Sequence, residues 1–254
     1  MFRFTTHQSV VRRVILTVCL TGLCLAMMPG LAACGQQQAD SPKTDSVSAD
    51  MMDQMFNRDK GEKWASSMSE YIDQQLAQID SDKELKSFDT DGTATARKKD
   101  ILERAKKTGS ISAADYEAVW ADYTQCLQDI GVNMVPRKLP NGIYTEEYPD
   151  AKPADASAHP NFGREYVRCG TLYTAYIDGT YKMQQDNPNL FKNGYEGAVD
   201  CMHRKDLVPK DYTMDSLKHD LYDITSPDEA IVDVYSTGIG SCLIANGINI
   251  GGVR

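Results

Sequence analysis

The sequence predicts an all-α fold: a disulfide-stabilised helical domain over residues 60–254 with one long proline-rich loop. Apolar residues recur at three- and four-residue steps in several segments, a pattern typical of amphipathic helices. No segment has the alternation of apolar and polar residues that marks a half-buried strand. Four cysteines remain in this region, and all of them lie in segments predicted to be helical.

The first segment of the chain, residues 1–33, has the three parts of a secretory signal peptide. A positively charged stretch ends at Arg13, an apolar run covers 14–28, and small residues precede Cys34. The run has only about 15 residues, whereas a membrane-spanning helix needs roughly 20, and a Pro-Gly pair follows it. We therefore expect a removed signal peptide in preference to a permanent membrane helix.

The motif Leu31-Ala32-Ala33-Cys34 resembles the lipobox of bacterial lipoproteins. The resemblance implies that Cys34 receives a diacylglycerol thioether, becomes the first residue after cleavage, and is held in the cell membrane by acyl chains such as palmitate. Two or more chains anchor a protein stably, whereas one chain is marginal. We expect a mature protein anchored on the extracytoplasmic face without spanning the membrane. An ordinary signal peptide followed by an incidental cysteine is the alternative.

Residues 34–59 are predicted to form a lipid-anchored flexible tether, because 35–50 are rich in Gln, Ser, Asp and Ala and lack a hydrophobic period. Cleavage before Cys34 leaves 221 residues and removes three arginines, so the formal net charge of −9 becomes −12. Nucleic acids and anionic lipid headgroups attract basic surfaces. The acidic balance therefore argues against nucleic acid as a partner and leaves the lipid anchor as the contact with the membrane.

The first predicted helices lie between Lys60 and Gly131. One runs roughly from Lys60 to Asp80, and a second covers Arg97 to Lys107. Ser112 with Asp115 three positions later resembles a capping box and begins a third helix. The apolar stripe of this third helix contains Tyr116, Val119, Trp120, Tyr123, Cys126, Leu127 and Ile130. Gly131 follows it at the position of a helix C-terminal cap.

Four further helices are predicted in the second half of the chain: Phe162–Gln185, Leu190–Arg204, Met214–Tyr222 and Ser226–Gly247. The last begins with Ser-Pro-Asp-Glu, which combines an N-cap, a proline at the first helical position and a capping-box glutamate. The predicted loop, 136–160, holds five prolines and a tyrosine pair, Tyr144 and Tyr148.

The cysteines of the folded domain are Cys126, Cys169, Cys201 and Cys242. An even number in an exported chain predicts disulfides, and the lack of C-x-x-C spacing argues against a redox motif or a thiolate metal cluster. Of the three possible pairings we favour Cys126–Cys169 and Cys201–Cys242, which join neighbours 43 and 41 residues apart. Loops of this length stabilise a fold by about 4 kcal/mol each in the chain-entropy model.

Two of the cysteine segments echo each other. In 126–133 and in 242–249, a glycine follows the cysteine by five positions and an asparagine follows the glycine by two. Asp200-Cys201-Met202 with Asp206-Leu207 echoes the first part only, with aspartate at the glycine position. Duplication of a helix and a shared need for a half-cystine one turn before a cap are the two explanations.

The same segments carry a family resemblance. Ile111–Glu117, then Tyr123–Leu127 with Gly131, and later Asn187-Pro188 followed by Cys201-Met202 resemble a large, poorly characterised group of actinobacterial lipoproteins and secreted proteins. The likeness covers roughly residues 109–247. It implies an extracytoplasmic, helical, disulfide-bonded module, and it supplies no known catalytic residue.

No recognised catalytic or phosphate-binding motif is present in the sequence. His159, His203 and His219 lie in separate segments without metal-ligand spacing, so no metal and no cofactor is predicted. Glu146 and Glu147 fall in the predicted loop, where a solvated role is the default. We therefore expect a protein that is not an enzyme.

The function favoured by the sequence is a surface module that docks an envelope protein or a cell-wall component. Tyr144 and Tyr148 are the predicted partner contacts, because tyrosine is enriched at interfaces. A small-ligand receptor that uses an acidic cleft between helices is the alternative, and an envelope enzyme is a third class.

Overall fold

Ten α-helices and one β-hairpin form the part of the chain that the computed structural model describes, residues 44–149 and 161–253. The predicted signal peptide, Cys34 and the first part of the predicted tether lie outside it. None of the described helices is long and apolar enough to cross a membrane. The elements are α1 (Thr44–Asn57), α2 (Met68–Ser81), α3 (Lys83–Phe88), α4 (Thr93–Thr108), α5 (Ala113–Asp129), β1 (Val135–Lys138), β2 (Tyr144–Glu147), α6 (Phe162–Leu172), α7 (Ile177–Asp186), α8 (Gly194–Arg204), α9 (Met214–Lys218) and α10 (Thr237–Ala245).

The hydrophobic core consists of two main clusters. The larger is built from α2 to α7 and the hairpin, and includes the fully buried side chains of Ile79 and Leu127. The smaller joins α8, α9 and α10 around Met202 and Leu217. Burial of these apolar faces supplies most of the driving force for folding.

A disulfide bond joins two helices within each cluster. Cys126–Cys169 links α5 to α6, and Cys201–Cys242 links α8 to α10. The two Cα atoms are 5.7 Å apart in both pairs. These bonds confirm the predicted disulfides, and the ten helices confirm the predicted helical character.

Three of the four helices that carry a half-cystine end in the same backbone cap. In α5, α8 and α10, the carbonyl of the residue after the cysteine accepts the N–H five positions further on, which is the long bond of a Schellman motif. The donor and acceptor pairs, each at 2.9 Å, are Val132 with Leu127, Leu207 with Met202, and Ile248 with Leu243. A residue with positive φ precedes each donor: Gly131, Asp206 and Gly247. The echo in the sequence therefore corresponds to a repeated cap that places each cysteine one turn before the helix end.

The predicted tether is wrong over its described part, because residues 44–57 form α1. Phe56 is 3 % exposed, and its ring stacks on that of Tyr195 with 3.8 Å between centroids. The side-chain amide of Asn193 donates to the carbonyl oxygens of Phe56 and Arg58 at 2.6 and 2.8 Å. A buried aromatic ring and two hydrogen bonds hold this segment against the start of α8, and composition alone does not reveal such contacts.

The all-α prediction is wrong at the start of the proline-rich segment, where β1 and β2 form an antiparallel hairpin. The backbone N–H of Leu139 donates to the carbonyl of Ile143 at 2.8 Å, and Gly142 takes φ +82° in the turn. Asn141-Gly142 between two segments with strand-forming residues is a typical hairpin signal, and it marks the turn at which the all-α prediction fails. The rest of the predicted loop, 150–160, lies outside the described residues.

The predicted helix Phe162–Gln185 is two helices, α6 and α7, separated by a turn that ends at Tyr176. Tyr176 takes φ +70°, and its hydroxyl donates to Asp82 at 2.6 Å. The ammonium of Lys98 donates to the carbonyl oxygens of Leu172 and Tyr173 at the end of α6. These tertiary contacts end the helix at a point where the apolar period alone would continue it.

The predicted last helix begins later than its capping signal, because α10 starts at Thr237 and not at Ser226. The buried carboxylate of Asp220 accepts the backbone N–H groups of Ile231 and Val232 at 2.9 and 3.1 Å. These two N–H groups therefore cannot donate to the carbonyl oxygens four residues earlier, as an α-helix requires. The proline-led signal forms only a short 3-10 turn, Pro227–Glu229.

Candidate ligand-binding site

A cavity of about 440 Å³ opens between α5, β2, α7 and the C-terminal segment, and we call it the hairpin pocket. Aromatic, charged and small or apolar side chains line it. They include Trp120, Tyr123, Tyr144, Glu146, Tyr148, Asp178, Lys182, Ile244, Asn249 and Ile250.

The periods of strand and helix bring these side chains together. Tyr144, Glu146 and Tyr148 alternate along β2 and the residues after it, so they share one face of the hairpin. Trp120 and Tyr123 are three positions apart on α5 and therefore share a helix face. Both are buried, at 5 % and 3 % exposure, and they form the floor of the pocket. The ring of Tyr144 packs above it, with 5.5 Å to the Trp120 ring centroid.

The carboxylate of Glu146 accepts hydrogen bonds from three tyrosine hydroxyls. Tyr123 donates to Oε1 at 2.7 Å, while Tyr148 and Tyr166 donate to Oε2 at 2.6 and 2.8 Å. The hydroxyls of Tyr148 and Tyr166 are also 2.9 Å apart. Because the donors come from α5, the hairpin and α6, this one carboxylate joins three elements of the fold.

Asp178 supplies the second carboxylate of the hairpin pocket. Its Oδ1 accepts the hydroxyl of Tyr116 at 2.7 Å and the indole N–H of Trp120 at 3.2 Å. Nζ of Lys182 lies 2.6 Å from Oδ2. The backbone N–H of Tyr144 donates to the Tyr116 hydroxyl at 3.2 Å and extends the network to β2. The charge of Asp178 is thus paired, and its hydrogen bonds fix the floor of the pocket.

The tyrosine hydroxyls around these carboxylates stay protonated. Burial raises the pKa of Tyr116, Tyr123 and Tyr148 above the ordinary value, and the neighbouring carboxylates raise it further. Each of these hydroxyls therefore acts as a hydrogen-bond donor to a carboxylate across the physiological pH range.

A second cavity, of about 330 Å³, lies beside α4 and α6 and is lined in part by Arg97, Lys98 and Arg168. Its cations are already engaged: Arg97 pairs with Asp122, Arg168 pairs with Glu165, and Lys98 donates to the carbonyls that end α6. Burial lowers the pKa of Lys98 to about 8. Because each of these cations serves the fold, the hairpin pocket is the stronger candidate site.

A buried carboxylate lies beside the second disulfide. Asp186 is 1 % exposed; its Oδ1 is 2.6 Å from Nζ of Lys205, and its Oδ2 accepts the amide of Asn141 at 2.6 Å. A carboxylate oxygen of Asp186 and the sulfurs of Cys201 and Cys242 lie within 4.8 Å of one another. Because the two sulfurs are bonded to each other, they offer no thiolate to a metal. Asp186 instead links the hairpin turn to the end of α8.

The two predicted partner contacts, Tyr144 and Tyr148, both line the hairpin pocket. Tyr148 is 44 % exposed, whereas Tyr144 is half-buried against the floor. Asp178 was not among the residues predicted from the sequence, and the solvated role expected for Glu146 is wrong, because its carboxylate accepts three tyrosine hydroxyls. The two-residue spacing of Tyr144, Glu146 and Tyr148 is the signal that points to a shared face.

Comparison with known proteins yields no relative. No family model matches the chain, and no curated protein or solved structure is significantly similar to it. Functional assignment therefore depends on the chemistry of the pocket and on the sequence motifs.

Proposed function

We propose that this chain is a bacterial lipoprotein, anchored through Cys34 on the extracytoplasmic face of the cell membrane, whose helical domain is a non-catalytic binding module. The lipobox-like motif and the apolar run before it support the anchor. Two disulfides support an oxidising compartment. The partner is an envelope protein or a cell-wall component, and the acidic charge argues against nucleic acid.

The observation that carries the binding role is the arrangement of the hairpin pocket. Aromatic walls surround the carboxylate of Glu146, which three tyrosine hydroxyls hold in place and which, unlike that of Asp178, has no lysine beside it among the described residues. A concave site with aromatic walls and few, well-placed polar groups is typical of ligand binding. Three of about four lone-pair positions of this carboxylate are occupied, which leaves little room for the proton transfer of a catalytic acid or base.

A small-ligand receptor is the second candidate function. The volume of the hairpin pocket, about 440 Å³, favours it, because small-molecule sites measure roughly 300–1,000 Å³. A protein partner would instead insert a single side chain into the same space. Both candidates make the pocket the recognition site.

The anchor is tested by feeding cells an alkyne-tagged fatty acid. We expect label on the full-length protein and its recovery in the membrane fraction, and loss of both in Cys34→Ser. A labelled or membrane-bound Cys34→Ser protein would contradict the anchor at this residue.

The binding role is tested by placing a photo-crosslinking amino acid at Asn249, which is exposed and lines the hairpin pocket. The matched control is Tyr235, which is 44 % exposed and does not line the pocket. On intact cells we expect one dominant adduct from position 249 and none of the same mass from position 235. Identical adduct patterns, or no adduct from 249, would contradict recognition by the pocket.

A further inference from the structure

We propose that the hairpin pocket receives an organic ammonium group, which it places between the carboxylate of Glu146 and the rings of Tyr144 and Tyr148. The inference rests on the proposed binding function of this pocket and adds the chemical class of its ligand.

The wall of the hairpin pocket carries a net negative charge. Glu146 has no ion-pair partner among the lysines and arginines of the described residues, whereas its neighbour Glu147 pairs with Arg137 at 2.6 Å. The other charged groups of the lining, Asp178 and Lys182, pair with each other at 2.6 Å. The described lining therefore carries one uncompensated negative charge, and a ligand cation would neutralise it.

The hydrogen bonds around Glu146 all point toward its carboxylate or between the tyrosines that surround it. Tyr123, Tyr148 and Tyr166 each have one O–H, and they direct these protons to the carboxylate or to one another. What remains free on these groups is lone pairs, which accept but do not donate. Beside Glu146 and its three tyrosines, a carboxylate or phosphate ligand would meet like charge and acceptors only. An ammonium group supplies the positive charge that this set of acceptors favours.

An aromatic surface lies beside this negative charge. Tyr148 is 44 % exposed and Tyr144 is half-buried at the same opening. A cation within about 6 Å of a tyrosine ring centroid is attracted by the ring quadrupole, more strongly where water is excluded. The ring of Tyr144 already has one such neighbour, because Nζ of Lys138 lies 5.8 Å from its centroid. Lys138 is itself paired with Glu117, so the ligand would not meet an uncompensated lysine charge.

Ammonium binding can be followed by tryptophan fluorescence. The chain has two tryptophans, and one of them, Trp120, lines the pocket. A Trp64→Phe variant of the full-length protein in an uncharged detergent leaves Trp120 as the fluorescence reporter. The probes are choline, n-butylammonium, and 3,3-dimethylbutan-1-ol, which is the neutral isostere of choline. Calorimetry on the unmodified protein gives a second readout that does not depend on the tryptophan substitution.

We expect a saturable signal with choline or n-butylammonium and binding of the neutral isostere weaker by at least about ten-fold, which is ~1.4 kcal/mol. Glu146→Gln should weaken ammonium binding by a similar factor, while Glu147→Gln, on the adjacent residue, should leave it unchanged. Tyr148→Phe removes a hydroxyl and keeps both the ring and the carboxylate of Glu146. We therefore expect this variant still to bind the ammonium probes. Whether choline or n-butylammonium binds more tightly distinguishes a quaternary from a primary ammonium ligand.

The proposal is overturned if neither ammonium probe binds, if the neutral isostere binds equally well, or if Glu146→Gln binds as tightly as the unmodified protein. A specific adduct from position 249 together with such a result would retain the binding module and reject only the cationic ligand. Ammonium binding without any cellular adduct would reject the partner and retain the chemistry of the site.

Discussion

The hydroxyl of Tyr123 on α5 donates a 2.7 Å hydrogen bond to Oε1 of Glu146 on β2. Tyr123 is 3 % exposed and lies one helical turn before Cys126, so this bond connects the hairpin to the helix that the first disulfide holds. The same hydrogen bond therefore shapes the floor of the hairpin pocket and stabilises the fold.

Tyr123→Phe should lower the free energy of unfolding by about 1.5–3 kcal/mol, because it removes a hydrogen bond to a charged group in a buried setting. Urea unfolding followed by circular dichroism measures the change. Tyr235→Phe, at an exposed tyrosine, serves as the control and should change stability by less than about 0.5 kcal/mol. Equal stabilities for the Tyr123 variant and the unmodified protein would mean that this bond contributes nothing to the fold.

Gly197→Ala should destabilise the domain by about 1–3 kcal/mol through overpacking, even though alanine is the better helix former. A Cβ at Gly197 would lie 2.2 Å from Oδ1 of Asn246 and 3.0 Å from Nδ2 of Asn187. The Asn246 amide is held in place, because its Nδ2 donates to the carbonyl of Cys242 at 2.9 Å. This close approach is the physical reason for a glycine inside α8.

The matched control is Gly179→Ala in α7, where a Cβ would have no neighbour within 4 Å and φ is not positive. This substitution should stabilise the domain by up to about 1 kcal/mol. Thermal unfolding of both variants gives the comparison. A Gly197→Ala protein that melts at or above the temperature of Gly179→Ala would show that α8 can move away from Asn246 without cost.

Asp186→Ala should lower the free energy of unfolding by about 1–3 kcal/mol, because it removes a buried carboxylate and leaves the Asn141 amide without its acceptor, while the exposed Lys205 stays hydrated. The carboxylate is 1 % exposed and contacts Lys205 and Asn141 at 2.6 Å each. Asp200→Ala is the control, because Asp200 forms a pair with Arg204 four residues later at the helix surface, worth about 0.5 kcal/mol. Chemical denaturation that gave the two variants similar stability would contradict a structural role for Asp186.

Much of the fold follows from local signals in the sequence. Ser112 accepts the N–H of Asp115 at 3.0 Å and begins α5 as predicted, and Gly131 ends it with φ +81°. The favoured disulfides join neighbours along the chain and are present in that pairing. These features could be predicted because each depends on a few adjacent residues or on a short separation along the chain.

The errors occur where a distant side chain takes over a backbone group. Asp220 binds the N–H groups of Ile231 and Val232 and delays α10, and Lys98 takes carbonyls at the end of α6. The same reason explains the incomplete prediction of the site. Tyr148 could be singled out from composition, whereas the role of Glu146 depends on tyrosines contributed by α5 and α6.

Stability should fall as the pH rises above about 10, the pKa of tyrosine in an unfolded chain. Burial and neighbouring carboxylates raise the pKa of Tyr116 and Tyr123 in the folded protein. Above pH 10 the unfolded chain releases protons that the folded chain retains, so the stabilisation is fully present below this pH and is lost as the pH rises. The loss is at most about 1.4 kcal/mol per pH unit for each tyrosine.

Lys98 acts in the opposite direction over a lower range. Its pKa of about 8 lies below the ordinary value of 10.5, so between these values the unfolded chain binds the extra proton and the contribution of Lys98 to stability rises with pH.

Urea unfolding from neutral to strongly alkaline pH, with tyrosinate absorbance recorded in parallel, should therefore show a stability maximum near pH 9–10 before the fall. Lys98→Met should remove the rise, and Tyr116→Phe with Tyr123→Phe should reduce the fall. Tyrosinate absorbance that developed fully before any unfolding would show that these hydroxyls ionise freely in the native protein.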